Sequence, residues 1–123
     1  MKKNIHKSPP EGQEITCVMK LSKNTLLLNS EILKKLINDI LLKERFDILD
    51  SISHDFDPHG FTVLFLLAES HLSVHTYPEY NSLYFNLYSC RGSSDAEPTF
   101  NSLLEVVKPE KIIFIKKEVI PVT

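Results

Sequence analysis

The sequence predicts an α+β domain, a two-layer α/β sandwich whose largely antiparallel sheet carries helices on one face. Three observations predict it. Two segments, Ile32 to Leu41 and Phe100 to Val107, repeat apolar residues at the three-to-four spacing of amphipathic helices. Six shorter β-prone runs accompany them, in the order β-α-β-β-β-β-α-β, so that most strands follow one another directly. The 123 residues suit one domain, which at this length buries about two-thirds of its unfolded surface.

Residues 1–14 are polar, contain Pro9-Pro10-Glu11-Gly12 and lack hydrophobic periodicity, so they are expected to form a flexible tail ahead of a single domain spanning 15–123. Ile15 to Leu21 is a first short strand. Asn29 or Ser30 can cap a helix over 30–44, whose apolar positions Ile32, Leu33, Leu36, Ile37, Ile40 and Leu41 define one face. The lysines and Asp39 on its other side are a solvated face. Phe46 to His54 is a second strand, closed by a turn at Asp55 to Gly60 in which Pro58 and Gly60 interrupt regular structure.

Phe61 to Ala68 is almost wholly apolar, as expected of a central strand covered on both faces. Leu72 to Tyr77 alternates apolar and polar residues until Pro78 ends it, and Leu83 to Tyr88 alternates again. A loop from Arg91 to Pro98 precedes the second helix, with Pro98 suited to its first turn. Lys111 to Ile115 is the last strand, flanked by lysines that discourage edge-to-edge pairing.

The formal charge of −2 divides evenly, with nine Lys/Arg against ten Asp/Glu in residues 1–69 and five against six in 70–123. Nucleic-acid binding needs clustered cationic charge, so no nucleic-acid partner is expected. No apolar run reaches the roughly 18 residues of a membrane span, and Met1 to Ile5 is not followed by the apolar core of a secretory signal. Cys17 and Cys90 lie far apart in different predicted strands, without a CxxC pair. A cytoplasmic protein without a disulfide framework is expected.

The chemistry concentrates in Leu66 to Glu79, where Glu69, Ser70, His71, Ser73, His75 and Thr76 crowd into 14 residues flanked by apolar sequence. Polar groups inside a strand need partners or water, so this density calls for a use. The run Glu69-Ser70-His71-Leu72-Ser73-Val74-His75-Thr76-Tyr77-Pro78-Glu79 resembles the processing segment of the prokaryotic, pyruvoyl-dependent S-adenosylmethionine decarboxylase proenzymes, Glu-Ser-His-x-Ser-x-His-Thr-Trp-Pro-Glu, at every fixed position but the Trp. That family also carries a cysteine twenty residues after its processing serine, here Cys90, and a His-x-Phe-x-Pro-x-Gly loop, here His54 to Gly60. The three segments agree in order and spacing over roughly residues 46–92.

The resemblance implies a self-cleavage between Glu69 and Ser70, giving a β chain of residues 1–69 and an α chain of 70–123. Ser70 becomes a pyruvoyl group that forms a Schiff base with the amine of the substrate. His75 is implied as the processing base, Thr62 as a hydroxyl that assists processing, and Cys90 as the proton donor in turnover. Phe56 and Tyr77 match positions that sandwich adenine, and Glu79 matches the carboxylate that holds the ribose hydroxyls. The implied activity is a carboxy-lyase converting S-adenosylmethionine to the decarboxylated aminopropyl donor of spermidine and polyamine biosynthesis, in a homodimer of cleaved protomers.

Spacing alone makes one demand of this scheme. Ser70 and His75 are an odd number of residues apart, so an extended strand would turn them to opposite faces, and a turn or bulge near Ser70-His71 is expected to bring them together. Two departures from the family, Tyr77 for Trp and Arg91 between Cys90 and Gly92, leave a basic amino acid such as ornithine or arginine as an alternative substrate. A homologue that never cleaves and acts only as a regulator is a further alternative. His54, His59, His71 and His75 can also be read as metal ligands, but the His-x-x-x-His pair lies in strand-like sequence and that reading leaves the Glu-Ser junction unexplained, so no metal is expected. A serine or cysteine hydrolase lacks a nucleophile elbow here.

Overall fold

The computed structural model describes residues 7–23, 25 and 28–123. Its elements are β1 (Glu11–Lys20), α1 (Ser30–Lys43), β2 (Ile48–Asp55), β3 (Phe61–Leu67), β4 (Ser70–Tyr77), β5 (Ser82–Ser89), α2 (Glu97–Val107) and β6 (Lys111–Pro121). The strands form one sheet in the order β2-β3-β4-β5-β1-β6, antiparallel at every junction. The expected α+β class and element order are both present.

β1 starts at Glu11, four residues earlier than the sequence reading, because β6 runs on to Pro121 and supplies partners: Glu11 pairs with Pro121 and Gly12 with Ile120. Gly12 is needed there, since a Cβ would stand 2.6 Å from the Ser89 carbonyl oxygen. Residues 1–6 of the expected tail lie outside the described residues. The expected end of the last strand at Ile115 falls short for the same reason, as β1 pairs with β6 along its whole length.

α1 is capped by Asn29, whose side chain accepts from the Ile32 N–H at 3.1 Å, and it buries Leu33, Ile37, Ile40 and Leu41. α2 takes Pro98 in its first turn but has no cap from its own flank. Gln13 of β1 serves instead: its Oε1 accepts from the N–H groups of Ala96 at 2.9 Å and Glu97 at 3.1 Å. Two orphan donors of the helix are thereby satisfied from across the domain.

Both helices pack on the sheet side formed by Ile15, Cys17 and Met19 of β1, Val63 and Phe65 of β3, and Phe85 of β5, where Phe85 meets Phe100 at 5.7 Å between ring centres. Each large apolar side chain so buried contributes about 1.5–3 kcal/mol. The other sheet side is open among the described residues. β3 was expected to be covered on both faces, yet Leu64 is 44% and Leu66 55% exposed. The alternate positions of β4, namely His71, Ser73, His75 and Tyr77, share that open side, opposite Tyr88, Asn86, Tyr84 and Ser82 of β5.

Candidate active site

β3 and β4 are joined by the two-residue turn Ala68-Glu69, closed by the pairing of Leu67 with Ser70. Glu69 is left-handed, with φ +64°. A non-glycine residue pays about 1–2 kcal/mol for that conformation, so strain sits directly at the peptide between residues 69 and 70. Ser70 points to the helix side and is buried at 4% exposure. Its Oγ accepts from the Cys90 N–H at 3.1 Å and donates to Cys90 Sγ at 3.6 Å. Twenty residues of sequence separate the pair, but β4 and β5 are antiparallel neighbours, so the start of one lies beside the end of the other.

The second group of predicted residues gathers around a pocket of about 290 Å³ lined by Phe56, His59, Thr62, His75, Tyr77 and Glu79, among others. Thr62 and His75, paired across β3 and β4, share a hydrogen bond of 2.8 Å from Oγ1 to Nδ1. The His75 and Tyr84 rings meet in a T-shaped contact with their centres 5.4 Å apart. The loop of Phe56 is closed by its N–H donating to the Gly60 carbonyl at 2.8 Å, with Gly60 at φ +96°. Thr76 Oγ1 then accepts from the Phe61 N–H at 2.9 Å, which fastens the loop end to β4. A 3-10 turn, Pro78–Tyr80, presents Glu79 at the rim.

The expected turn at Ser70-His71 is not there. β4 pairs with β3 and β5 without a bulge, so no register slip is available to bring His75 round. Five residues of strand put His75 about 16 Å further along the chain from Ser70, on the opposite sheet face. The site residues therefore form two groups within one chain: Glu69, Ser70 and Cys90 at one end of β4, and Phe56, Thr62, His75, Tyr77 and Glu79 at the other.

Arg91, which departs from the family pattern, faces neither group. Its Nε donates to Asp95 Oδ2 at 2.6 Å and its terminal nitrogens donate to the carbonyls of Arg45 and Glu44 at 2.9 and 3.0 Å. Sequence reasoning passed over Tyr84, for which strand alternation across from His75 was the available signal, and read His59, within the His54 to Gly60 motif, only as a metal-ligand candidate. Cys17 is buried on the helix side of β1, and burial pushes its thiol pKa up from 9.0 to about 11 against the lowering influence of Lys117. Among the described residues no group of three or more His, Cys, Asp or Glu is placed to hold a metal ion, and no helix is long and apolar enough to cross a membrane.

Residues 13–117 match the family model described as S-adenosylmethionine decarboxylase. The chain belongs to the S-adenosylmethionine decarboxylase family. It is 32% identical over 99 residues to an S-adenosylmethionine decarboxylase proenzyme of Archaeoglobus fulgidus, covering 80% of this chain and 88% of that one. It is 41% identical over 70 residues to S-adenosylmethionine decarboxylase proenzyme 2 of Bacillus cereus, covering 57% of this chain and 56% of that relative. The adenosylmethionine decarboxylase of Aquifex aeolicus shares its fold, with a TM-score of 0.73, 23% identity and coverage of 93% of this chain and 90% of that one. The resemblance carried by residues 46–92 thus widens to β1, both helices and most of β6.

Proposed function

We propose that this family member is a proenzyme that cuts itself between Glu69 and Ser70 and then decarboxylates S-adenosylmethionine, giving the aminopropyl donor and carbon dioxide. The observation that carries the reading is the left-handed Glu69 immediately ahead of a buried Ser70 whose hydroxyl is held by Cys90. Ser70 Oγ attacks the Glu69 carbonyl carbon, the peptide C–N bond breaks, and the freed amine takes the hydroxyl proton, leaving an ester. Loss of the Ser70 α-proton then breaks the Cβ–Oγ bond and releases Glu69 as a carboxylate. Addition of water and departure of ammonia leave residue 70 as a pyruvoyl group. Relief of strain at Glu69 favours the first step.

The residues around position 70 fit that group, since the site is buried and a thiol stands within 3.6 Å. The pyruvoyl carbonyl supplies the electron sink that loss of carbon dioxide requires. Cys90 holds the proton to be returned to the decarboxylated carbon. Phe56 and Tyr77 offer aromatic faces to the adenine and to the sulfonium cation, and Glu79 accepts from the ribose hydroxyls.

A homodimer reconciles the two groups. Two copies laid open face to open face with strands reversed would bring the Thr62–His75 pair of the partner subunit to the backbone of Ser70, on the side away from its helix-facing hydroxyl, where the partner's His75 serves as the base for the α-proton. Support comes from the apolar open face, on which Ile52 is 70%, Leu64 44% and Leu66 55% exposed, and from the separation of the groups along β4. Both cysteines are free, which suits the reducing cytoplasm.

Intact mass of purified protein after long incubation should show chains of residues 1–69 and 70–123, the second reacting with a carbonyl-selective reagent. Carbon dioxide release is then compared for S-adenosylmethionine, ornithine and arginine. An uncut chain sinks the enzymatic reading, and release from an amino acid alone replaces the substrate. Phe56→Ala and Glu79→Gln should raise KM for S-adenosylmethionine without slowing the cut.

A further inference from the structure

Cys90 lies between two residues pinned to one carboxylate. The fully buried Ser89 donates its hydroxyl to Asp95 Oδ2 at 2.6 Å, and Arg91 Nε donates to the same oxygen at 2.6 Å. The Arg91 backbone N–H donates to Ser89 Oγ at 3.3 Å. The rest of the guanidinium donates to the carbonyls of Glu44 and Arg45 just past the end of α1, and its central carbon stands 3.6 Å from the centre of the Phe46 ring. A cation suits that place, because the last helical carbonyls are orphan acceptors at the negative end of the dipole.

Closing α1 does not require this arginine. The N–H groups of Glu44, Arg45 and Phe46 already return to the carbonyls of Ile40, Leu42 and Leu41. What the fork adds is an anchor for the segment from Ser89 to Asp95, which otherwise leaves the sheet after β5 as a loop. Cys90 is the residue of that segment whose N–H and thiol meet Ser70. A serine side chain has three staggered rotamers, and these two contacts select one.

We propose that Arg91 is a positioning residue: through Asp95 and Ser89 it holds Cys90 against Ser70 Oγ, and so sets the rate at which Ser70 attacks the Glu69 carbonyl. The inference rests on self-scission at Glu69-Ser70. Lysine cannot replace the fork, because a single ammonium does not span the Asp95 carboxylate, two carbonyls and a ring face together.

The test follows freshly made precursors of the wild type, Arg91→Ala, Arg91→Lys and Asp95→Asn, with Ser102→Ala as a stability control. Ser102 ties α2 to Glu44 at the same helix end, donating to Oε2 at 3.1 Å, and is not bonded to the Cys90 loop. Scission of the folded precursor should slow by at least about tenfold in Arg91→Ala, a size in keeping with small misplacements of a reacting group. Arg91→Lys and Asp95→Asn should fall in between, and they carry the test if Arg91→Ala does not fold. Ser102→Ala should lower the Tm while scission keeps its wild-type rate.

Alkylation with iodoacetamide gives a readout that does not depend on scission. Cys90 should react faster in Arg91→Ala while the buried Cys17 stays at its wild-type rate. Equal gains at both cysteines mean general loosening and overturn the proposal, as do folded Arg91 variants that cut at wild-type speed. A wild-type chain that never cuts brings down the self-scission reading and the rate-setting role together, whereas a cutting wild type beside equally fast variants brings down the role of Arg91 alone.

Discussion

Cys90 meets Ser70 with two different groups, a backbone N–H that donates to Oγ at 3.1 Å and a thiol that accepts from it at 3.6 Å. The first survives any substitution at position 90 except proline, and the second does not. One residue thereby touches the serine through one contact that depends on its side chain and one that does not.

Cys90→Ala should therefore still be cut between residues 69 and 70 while turnover falls by about 10²–10⁴, the usual scale for losing a positioned general acid. Intact mass follows the cut, and carbon dioxide release per cut chain follows turnover. An uncut Cys90→Ala would move the thiol into the processing step.

The separation of Ser70 from His75 makes a prediction about pairs of chains. Ser70→Ala and His75→Ala should each fail to cut when expressed alone. Co-expressed, the His75→Ala chains should be cut in the mixed dimers, since the proposed pairing gives their Ser70 the intact His75 of the partner subunit. Mass spectrometry of the mixture tells which chain was cut, and a mixture in which nothing is cut rejects action across a dimer.

Gln13→Ala should destabilise the domain by about 1–2 kcal/mol, the usual cost of removing a helix N-cap. It takes away the acceptor for the N–H groups of Ala96 and Glu97. Urea unfolding of the precursor measures it, and a wild-type midpoint would mean that water replaces the cap without loss.

Burial of Cys17 raises its thiol pKa from 9.0 to about 11. The folded state then keeps its proton over a range in which the unfolded chain gives it up. The associated stability is fully present below pH 9, and it is lost as pH rises towards 11. At pH 10 the loss relative to pH 8 is about 1 kcal/mol. Denaturation at the two pH values should show this increment in the wild type and not in Cys17→Ala, and equal slopes would reject it.

Much of the fold can be read from consecutive residues. The spacing of Ile32 through Leu41 locates α1, and the alternation from Leu83 to Tyr88 locates β5, since side-chain periodicity depends only on local geometry. Apolar content misled at β3, because Leu64 and Leu66 face away from the helices. A run of apolar residues reports that a strand is hydrophobic, not what covers it. The reach of β1 and β6 was hidden as well, since Glu11 becomes a strand residue through a partner 110 positions away, Pro121.

By itself the sequence determined the chemistry available: a Glu-Ser junction, a cysteine twenty residues on, and the aromatic and acidic residues Phe56, Tyr77 and Glu79, all encoded as residue identity at fixed spacing. Tertiary structure alone decided how those groups divide. Unbroken pairing of β4 on both sides turns Ser70 to the helices and His75 to the open face, while β5 carries Cys90 back to Ser70. The reason is physical: spacing limits which side of a strand a residue can take, but only long-range hydrogen bonding settles whether the strand stays regular and which neighbour lies beside it.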